Sequence, residues 1–468
     1  MAKAYIGPQL RRLRLEREQT QADMARALGV SPAYVNMLEN NQRSLSVKML
    51  LAVSEAYQVD WRNLVKDPPR NLLVDLRNVL NDPMFGADGP DLPELRAAID
   101  HAPRLVASFL NLYAEHSRTL EKIVRQDELG PREALLEASP ETLIYNFFRA
   151  NDNYFDVLER AAERLRDEAP CTSEDVFSVL KARLLAAHGI TVRTRPMEDM
   201  QEALRLYEKR SRYVYLSEAL DFQNRVFQLA HVLCLVEFQE ILETLAASSG
   251  IASERGIARC HVELANYFAA AFLMPYQDFK RTAEKTRYDV ERIAAKFNCS
   301  YEQVCHRLTT LQRPSAKGVP FFFLRIDKAG NVTKRFNATS FNLAEFGGSC
   351  PVWNIHMAFR SPGEVLPQFV ELPDGKRFFT LSRTTDRPAF NKETQNHRLT
   401  VAIGCEMQYA HLVGYAKAFN MQVPNLFSEI GINCHICPRQ ACPQRAHQPL
   451  ITELPIDPRR RGNTRYES

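Results

Sequence analysis

No run of apolar residues in this 468-residue chain reaches the ~18 that a bilayer-spanning helix needs, so no transmembrane helix is expected. The N-terminal stretch MAKAYIGPQLRRLRLERE lacks the apolar core of a secretory signal, which points to a soluble cytoplasmic protein with no membrane partner. An excess of one charge is also nearly absent. The 60 Lys and Arg stand against 56 Asp and Glu, and a net +4 excludes a uniformly basic or acidic polyelectrolyte. Glycine is sparse at 18 residues and proline moderate at 26, which removes collagen-like and low-complexity architectures. No glycine-rich phosphate loop is present. Cysteine is not scarce: without a secretory signal, its ten residues are expected as reduced thiols or metal ligands, not as a disulfide framework.

What is present suffices for about three domains with real cores, since 45% of residues are hydrophobic. The weak charge excess is concentrated. Residues 1–66 hold ten Lys and Arg against six acids, so a basic N-terminal module precedes a neutral body, a distribution that points to nucleic acid. Within 6–66 the pattern predicts five short helices. Thr20 is placed to cap one whose inner face is Met24, Ala25 and Leu28, and Gly29 is placed to end it. Ser31 is placed to cap the next, with Pro32 at its first turn and Val35 and Leu38 inside. This is a helix-turn-helix. Its second helix enters a major groove, which makes Ser31, Ala33, Tyr34 and Asn36 candidates for base edges. Gln21, Asn40 and Arg43 are candidates for phosphates. The segment resembles the lambda-repressor/Cro-type (XRE) domains.

Residues 67–188 read as a helical linker and dimerisation region, with helices predicted over 141–148, 154–168 and 173–188. Two β-like stretches follow at 190–195 and 212–216. A long helix is expected over about 218–248, then helices at 253–274 and 289–297. On the long helix His231 stands where a zinc metallopeptidase begins H-E-x-x-H. Val232 replaces the catalytic Glu, however, and Leu235 the second His. The run Glu263 to Pro275 resembles the IrrE/ImmA-type peptidase domain, and that resemblance places the third metal ligand at Glu263. Without a base, His231 and Glu263 are the remnants of a catalytic site, so a non-enzymatic scaffold over 189–312 is expected. Cys234, one turn from His231, reads as a buried thiol.

From Val319 the texture becomes alternating and β-branched, and the chain is expected to form a separate α+β domain over 313–455 ahead of a basic tail at 456–468. Hairpins are expected around 327–331 and 373–375, a further strand at 399–403 and a helix over 407–419. The fold class expected is therefore a mainly α N-terminal two thirds with a C-terminal α+β domain. Within it, Cys434, Cys437 and Cys442 form C-x2-C-x4-C in a short loop, a spacing that suits tetrahedral zinc or an iron–sulfur cluster. Cys405 is the first choice for a fourth ligand, and Cys350, His435 and His447 are alternatives. Trp353, Arg360 and Arg383 are candidates for an anionic ligand, with Lys376, Arg377, Arg387, Phe359, Phe378 and Phe379 nearby in sequence.

In this order the parts resemble the short-chain fatty acyl transcriptional regulators. The likeness is carried by Gly347-Gly348-Ser349-Cys350-Pro351-Val352-Trp353, Ser361-Pro362-Gly363, Ile403-Gly404-Cys405-Glu406 and the cysteine loop. The resemblance implies a DNA-binding homodimer that binds operator DNA. It also implies a short-chain acyl-CoA effector such as propionyl- or acetyl-CoA, and an iron–sulfur cluster, of the 4Fe-4S type, in preference to zinc. Two rival readings are an iron–sulfur redox sensor with no organic ligand and an IrrE-like metallopeptidase that cleaves a repressor.

Overall fold

Thr20 starts a short helix: its hydroxyl accepts from the Asp23 N–H at 3.2 Å, while the Asp23 carboxylate accepts from the Thr20 N–H at 2.9 Å. This helix, α1 (Gln21–Leu28), ends at Gly29, whose φ of 64° lies in the left-handed region that glycine adopts without strain. Ser31 Oγ then accepts from the Tyr34 N–H at 3.2 Å and opens α2 (Pro32–Glu39). Met24, Ala25, Leu28, Val35 and Leu38 pack with Leu10, Leu13, Val53 and Tyr57 into one core.

The computed structural model describes residues 140–341, 349–388, 397–420 and 426–449, with parts of 10–119 and isolated positions elsewhere. Of the five helices expected over 6–66, those other than α1 and α2 fall partly outside the described residues, and the tail at 456–468 does so almost entirely. The chain divides into two units, Met1–Leu120 and Glu121–Ser468. The first also holds α3 (Arg70–Leu80) and α4 (Leu92–His101), which share a small core of Leu76, Leu95, Ile99 and Val106.

The second unit begins with α5 (Pro140–Ala150), α6 (Asp156–Glu168) and α7 (Val176–His188). A small sheet follows, of β1 (Thr191–Arg195), β2 (Arg205–Glu208) and β3 (Tyr213–Ser217) in the order β1-β3-β2. The edge strand β2 is not among the sequence expectations, because its four residues do not alternate in burial. The long helix expected over 218–248 is two: α8 (Phe222–Glu237) and α9 (Gln239–Ser248) meet at Phe238, whose φ of −123° breaks the helical course. Then come α10 (Glu254–Leu273), α11 (Tyr276–Lys285), α12 (Val290–Phe297) and α13 (Tyr301–Thr309).

The C-terminal sheet has β4 (Phe322–Ile326), β5 (Val332–Asn337), β6 (Leu366–Glu371), β7 (Arg377–Asp386), β8 (Arg398–Glu406) and β9 (Phe427–Glu429), in the order β5-β4-β8-β7-β6-β9. Both expected hairpins are present. The helix expected over 407–419 is instead two 3-10 turns, Met407–Leu412 and Gly414–Ala418. Alternation along each strand gives the sheet two apolar faces. Phe323, Phe379, Val401, Ile403 and Cys405 join the helical core that runs from Ile144 onward, whereas Phe322, Phe378 and Ala402 pack with Cys350, Trp353 and Ile430 on the other face. The sheet thus shares one core with the preceding helices through its inner face. Its aromatic inner face needs an apolar partner, and the peptidase-like helices supply it.

Candidate functional site

The helix-turn-helix presents Ser31, Ala33 and Asn36 to solvent, while Tyr34 is half-buried beneath Arg43, whose guanidinium lies 5.7 Å from the ring centroid. Gln21 does more than sequence position suggests. Its amide donates to Glu39 at 2.8 Å and to Asn36 at 3.3 Å, so it orients the exposed face of α2. Beneath that face Glu39 accepts a forked pair from Arg14, at 2.6 and 3.1 Å, which locks α2 to the preceding segment. Asn40 lies outside the described residues.

In the second unit α8 and α10 bring His231 and Glu263 to one buried place. Asn266, one turn after Glu263, joins them. Its amide N–H donates to Glu263 at 3.3 Å, so its carbonyl accepts from His231 Nδ1 at 2.9 Å. This leaves the His231 Nε2 lone pair without a hydrogen-bond partner, and Nε2 is the atom that a metal would have used. The cation in the site is Lys334 of β5. Its ammonium lies 2.9 Å from Glu263 Oε2, and Arg259 lies 3.1 Å from Oε1. Burial alone would raise the Glu263 carboxyl, but Lys334 and then Arg259 hold it at about 2. Cys234 is fully buried, which pushes its thiol far up. Val232 and Leu235 pack into the core. The cleft holds its charge balance with an ammonium and has no base.

His306 of α13, stacked on Phe336 with centroids 4.2 Å apart, shares this surrounding with Lys334, Glu263, Arg307 and Arg325. Burial and then a neighbouring cation (Lys334 for His306, Arg205 for His231) push both imidazoles down to about 3 from the ordinary 6.5. A folded-state pKa below the unfolded value contributes stability above about pH 6.5 that is lost as pH falls. Between pH 7.5 and 5 each imidazole is expected to cost about 2 kcal/mol, read as a lower urea midpoint at pH 5. His306→Phe, which keeps the stacking, should remove about half of that drop.

The cysteines do not assemble as the spacing implied. Cys405 lies on β8 opposite Phe379, fully buried in the helical core beside Tyr288. The cysteine loop lies over the other face of the sheet, so Cys405 is corrected out of the ligand set by strand alternation. Cys350 takes its place. Burial raises its thiol, the Gly431 and Val352 N–H groups are directed at the sulfur and lower it, and the neighbouring Cys434 and Cys437 sulfurs raise it again. Gly431 is required here, since a Cβ would stand 2.7 Å from Cys437 Sγ. Arg445 ties the loop together through the carbonyls of Cys434, Cys437 and Arg439. Arg439 fastens it to β6 and β9 through the Glu371 carbonyl at 2.9 Å and the Glu429 carboxylate at 2.7 Å. His435 and His447 stack on each other with centroids 4.4 Å apart. Among the described residues no three ligating side chains stand close enough to hold an ion. Cys350 and the neighbouring Cys434 and Cys437 sulfurs, with Cys442 on the same loop, are the soft donors that would hold a thiolate-bound group.

The candidates for an anionic ligand separate. Trp353 is buried, its indole N–H donating to Thr380 at 3.3 Å. Arg383 lies across the sheet, over Tyr301, with its Nε donating to the Gly363 carbonyl at 2.8 Å. Arg360 alone is exposed and lines a cavity. The three do not form one site.

Comparison with known proteins matches residues 10–64 to a helix-turn-helix family, 185–309 to an IrrE N-terminal-like domain, and 310–466 to the short-chain fatty acyl coenzyme A regulator C-terminal domain. A propionyl-CoA carboxylase regulator of Cereibacter sphaeroides is 40% identical over 99% of both chains. The HTH-type transcriptional regulator RamB of Mycobacterium tuberculosis is 33% identical over 98% of both. A solved structure of a Mycobacterium tuberculosis transcriptional regulator, 33% identical, superposes with a TM-score of 0.66, covering 71% of this chain and all of that one.

Proposed function

The chain belongs to the short-chain fatty acyl coenzyme A regulator family of DNA-binding transcriptional regulators, and from that premise we propose that its effector is a short-chain acyl-CoA, propionyl-CoA first among those to test. It is a regulator and not an enzyme, as are the relatives it matches from end to end. The observation that carries the effector reading is this collinear likeness to a protein named for propionyl-CoA carboxylase regulation. We further propose that Cys350, Cys434, Cys437 and Cys442 hold an iron–sulfur cluster. Zinc would use the same thiolates, and iron and sulfide content separates the two. When bound, a cluster supplies one-electron chemistry. The chain's own residues keep the loop on β6 and β9 and exclude water from Cys350 and Cys437.

A two-fold dimer would set two copies of α2 on half-sites of a palindromic operator, and the effector must favour one arrangement of those copies over another. In anaerobically purified protein we expect iron and sulfide. We also expect saturating propionyl-CoA to change the affinity for DNA upstream of the protein's own gene at least about fivefold. An unchanged affinity with acetyl- and propionyl-CoA overturns the effector. One zinc per chain without iron overturns the cluster and leaves the effector standing. A response to oxidation alone would put a redox sensor in its place. Cleavage of a co-encoded repressor is not expected, because Lys334 holds Glu263 where a metal would need it.

A further inference from the structure

The small sheet of the second unit has one face in the core and one outside it. Val214 and Leu216 of β3 are buried with Ile190, and Val192 and Tyr207 pack against the same core. The alternate residues point the other way. On β3 these are Tyr213 and Tyr215, whose rings stack with centroids 5.6 Å apart and planes 7° from parallel. On the edge strand β1, which runs parallel to β3 with Arg193 opposite Tyr215, they are Arg193 and Arg195. Each guanidinium lies over a ring, Arg193 at 4.9 Å from the Tyr213 centroid and Arg195 at 3.3 Å from that of Tyr215.

Further cations stand at the end of the same strands. The turn between β2 and β3 carries Lys209, Arg210 and Arg212, all exposed. Arg212 holds a φ of 59°, a left-handed backbone that arginine rarely adopts. Its carbonyl accepts from the Thr191 N–H at 2.9 Å, which ties the turn to the start of β1. Among the described residues none of these five cations has a carboxylate partner, whereas Arg183 of α7 pairs with both Glu168 and Glu237. The acid on the strands themselves, Glu208, accepts from the Ser211 hydroxyl at 2.6 Å, and Glu218, just after β3, accepts from the Met197 N–H at 3.1 Å. Glu198, Asp199 and Glu202 belong to the connection between β1 and β2.

A guanidinium stacked on a ring is held in place yet keeps its N–H edges free, so little ordering remains when it meets a phosphate. Cations without carboxylates, fixed on a sheet and its turn, complement a polyanion. A second copy of this chain would bring like charges together on such a face. The helix-turn-helix, in contrast, keeps DNA at high local concentration around the rest of the chain. We propose that the outer face of β1 and β3 is a second DNA contact, which binds the sugar–phosphate backbone beside the operator without reading its sequence. Arg193 and Arg195 engage phosphates there, and the β2–β3 turn adds to the attraction. The assignment rests on the chain being a DNA-binding regulator and extends that role to the second unit.

The test titrates full-length protein with two duplexes from the DNA upstream of its own gene. One is trimmed to the palindrome, and the other carries the same palindrome with about two helical turns of arbitrary sequence on each side. At low salt wild type should bind the extended duplex at least about tenfold more tightly. Arg193→Gln with Arg195→Gln should lose that difference, and on the extended duplex the slope of log K against log salt should fall by about one for each arginine removed. Arg193→Lys with Arg195→Lys should keep most of the slope. Lys209→Gln with Arg210→Gln, both in the exposed turn, should lower it with no folding defect. If wild type binds both duplexes with one Kd, or the glutamine variants lose equally on both, the second contact falls and DNA binding by the helix-turn-helix stands. If polyglutamate erases the difference as well as random duplex does at equal charge, the face belongs to an acidic protein and the DNA assignment falls. If wild type binds neither duplex, both readings fall.

Discussion

Replacing Lys334 with methionine is expected to destabilise the second unit by about 3 kcal/mol, seen as a lower guanidinium midpoint at neutral pH. The stem volume is nearly kept, so the loss is electrostatic. Glu263 is only 6% exposed, and in the absence of the ammonium its carboxylate keeps the half-exposed Arg259 as its one ion-pair partner among the described residues and the Asn266 amide as a neutral donor. Leaving a buried charge unpaired costs far more than the pair contributes over an apolar substitute. The double variant Lys334→Met with Glu263→Gln should therefore recover most of the loss. A pH series separates this from a packing defect. In wild type Glu263 is held at about 2, below the ordinary 4.5, so its contribution is complete above about pH 4.5 and declines as pH falls further. In Lys334→Met that contribution is already absent, and the low-pH decline assigned to Glu263 should flatten. An undiminished decline, or no recovery in the double variant, would show that Lys334 does not neutralise this carboxylate.

Arg307→Met should be the more damaging change, about 4 kcal/mol or enough to prevent accumulation of soluble protein. Arg307 and Glu159 are both essentially inaccessible and form a forked pair at 2.5 and 2.9 Å. Burial pulls the guanidinium down, but Glu159 more than offsets it and raises the pKa. The same guanidinium donates to the Met274 carbonyl at 3.1 Å and to Thr310 at 2.9 Å, and Tyr267 donates to Glu159 at 2.7 Å. The fork thus joins α6, α10 and α13, and α13 carries His306 against Phe323 and Phe336 of the C-terminal sheet. Arg307→Lys keeps the charge and loses the fork, so it should lie between wild type and Arg307→Met in thermal midpoint. Tyr267→Phe should cost only about 1 kcal/mol, since one neutral hydrogen bond is lost. Equal midpoints for Arg307→Lys and wild type would remove the fork from this account.

The helix-turn-helix was legible because everything that shapes it acts within a few residues: the Thr20–Asp23 box, the Gly29 stop and the Ser31 cap each close locally. The same holds for the hairpin at Gly375 and for the paired apolar texture of β4 and β5. His231 and Glu263 were recognisable as a peptidase remnant, and the missing base at Val232 already argued against catalysis. Asn266 was within reach of the same reading, one helical turn beyond Glu263. Lys334 was not. It is 71 residues further on in a strand that carries no peptidase signature, and only the packing of β5 on α10 brings it to the carboxylate. The choice of Cys405 failed for a related reason. Position just after a predicted strand core says nothing about which face of the strand a side chain occupies, and one residue of register decides it. The broken helix at Phe238 and the 3-10 turns after Met407 were missed because apolar periodicity continues through both.

By itself the amino-acid order determined the order of parts, the DNA-reading helix, the loss of the catalytic base and the presence of a thiol-rich loop. Each depends on residue type and short spacing. Tertiary structure alone decided which cysteine faces that loop and which cation fills the degenerate cleft. It also decided which arginines pair with carboxylates. Those outcomes depend on charges and sulfurs far apart in the chain meeting where water is excluded. Their energies exist only once the sheet has packed against the helices.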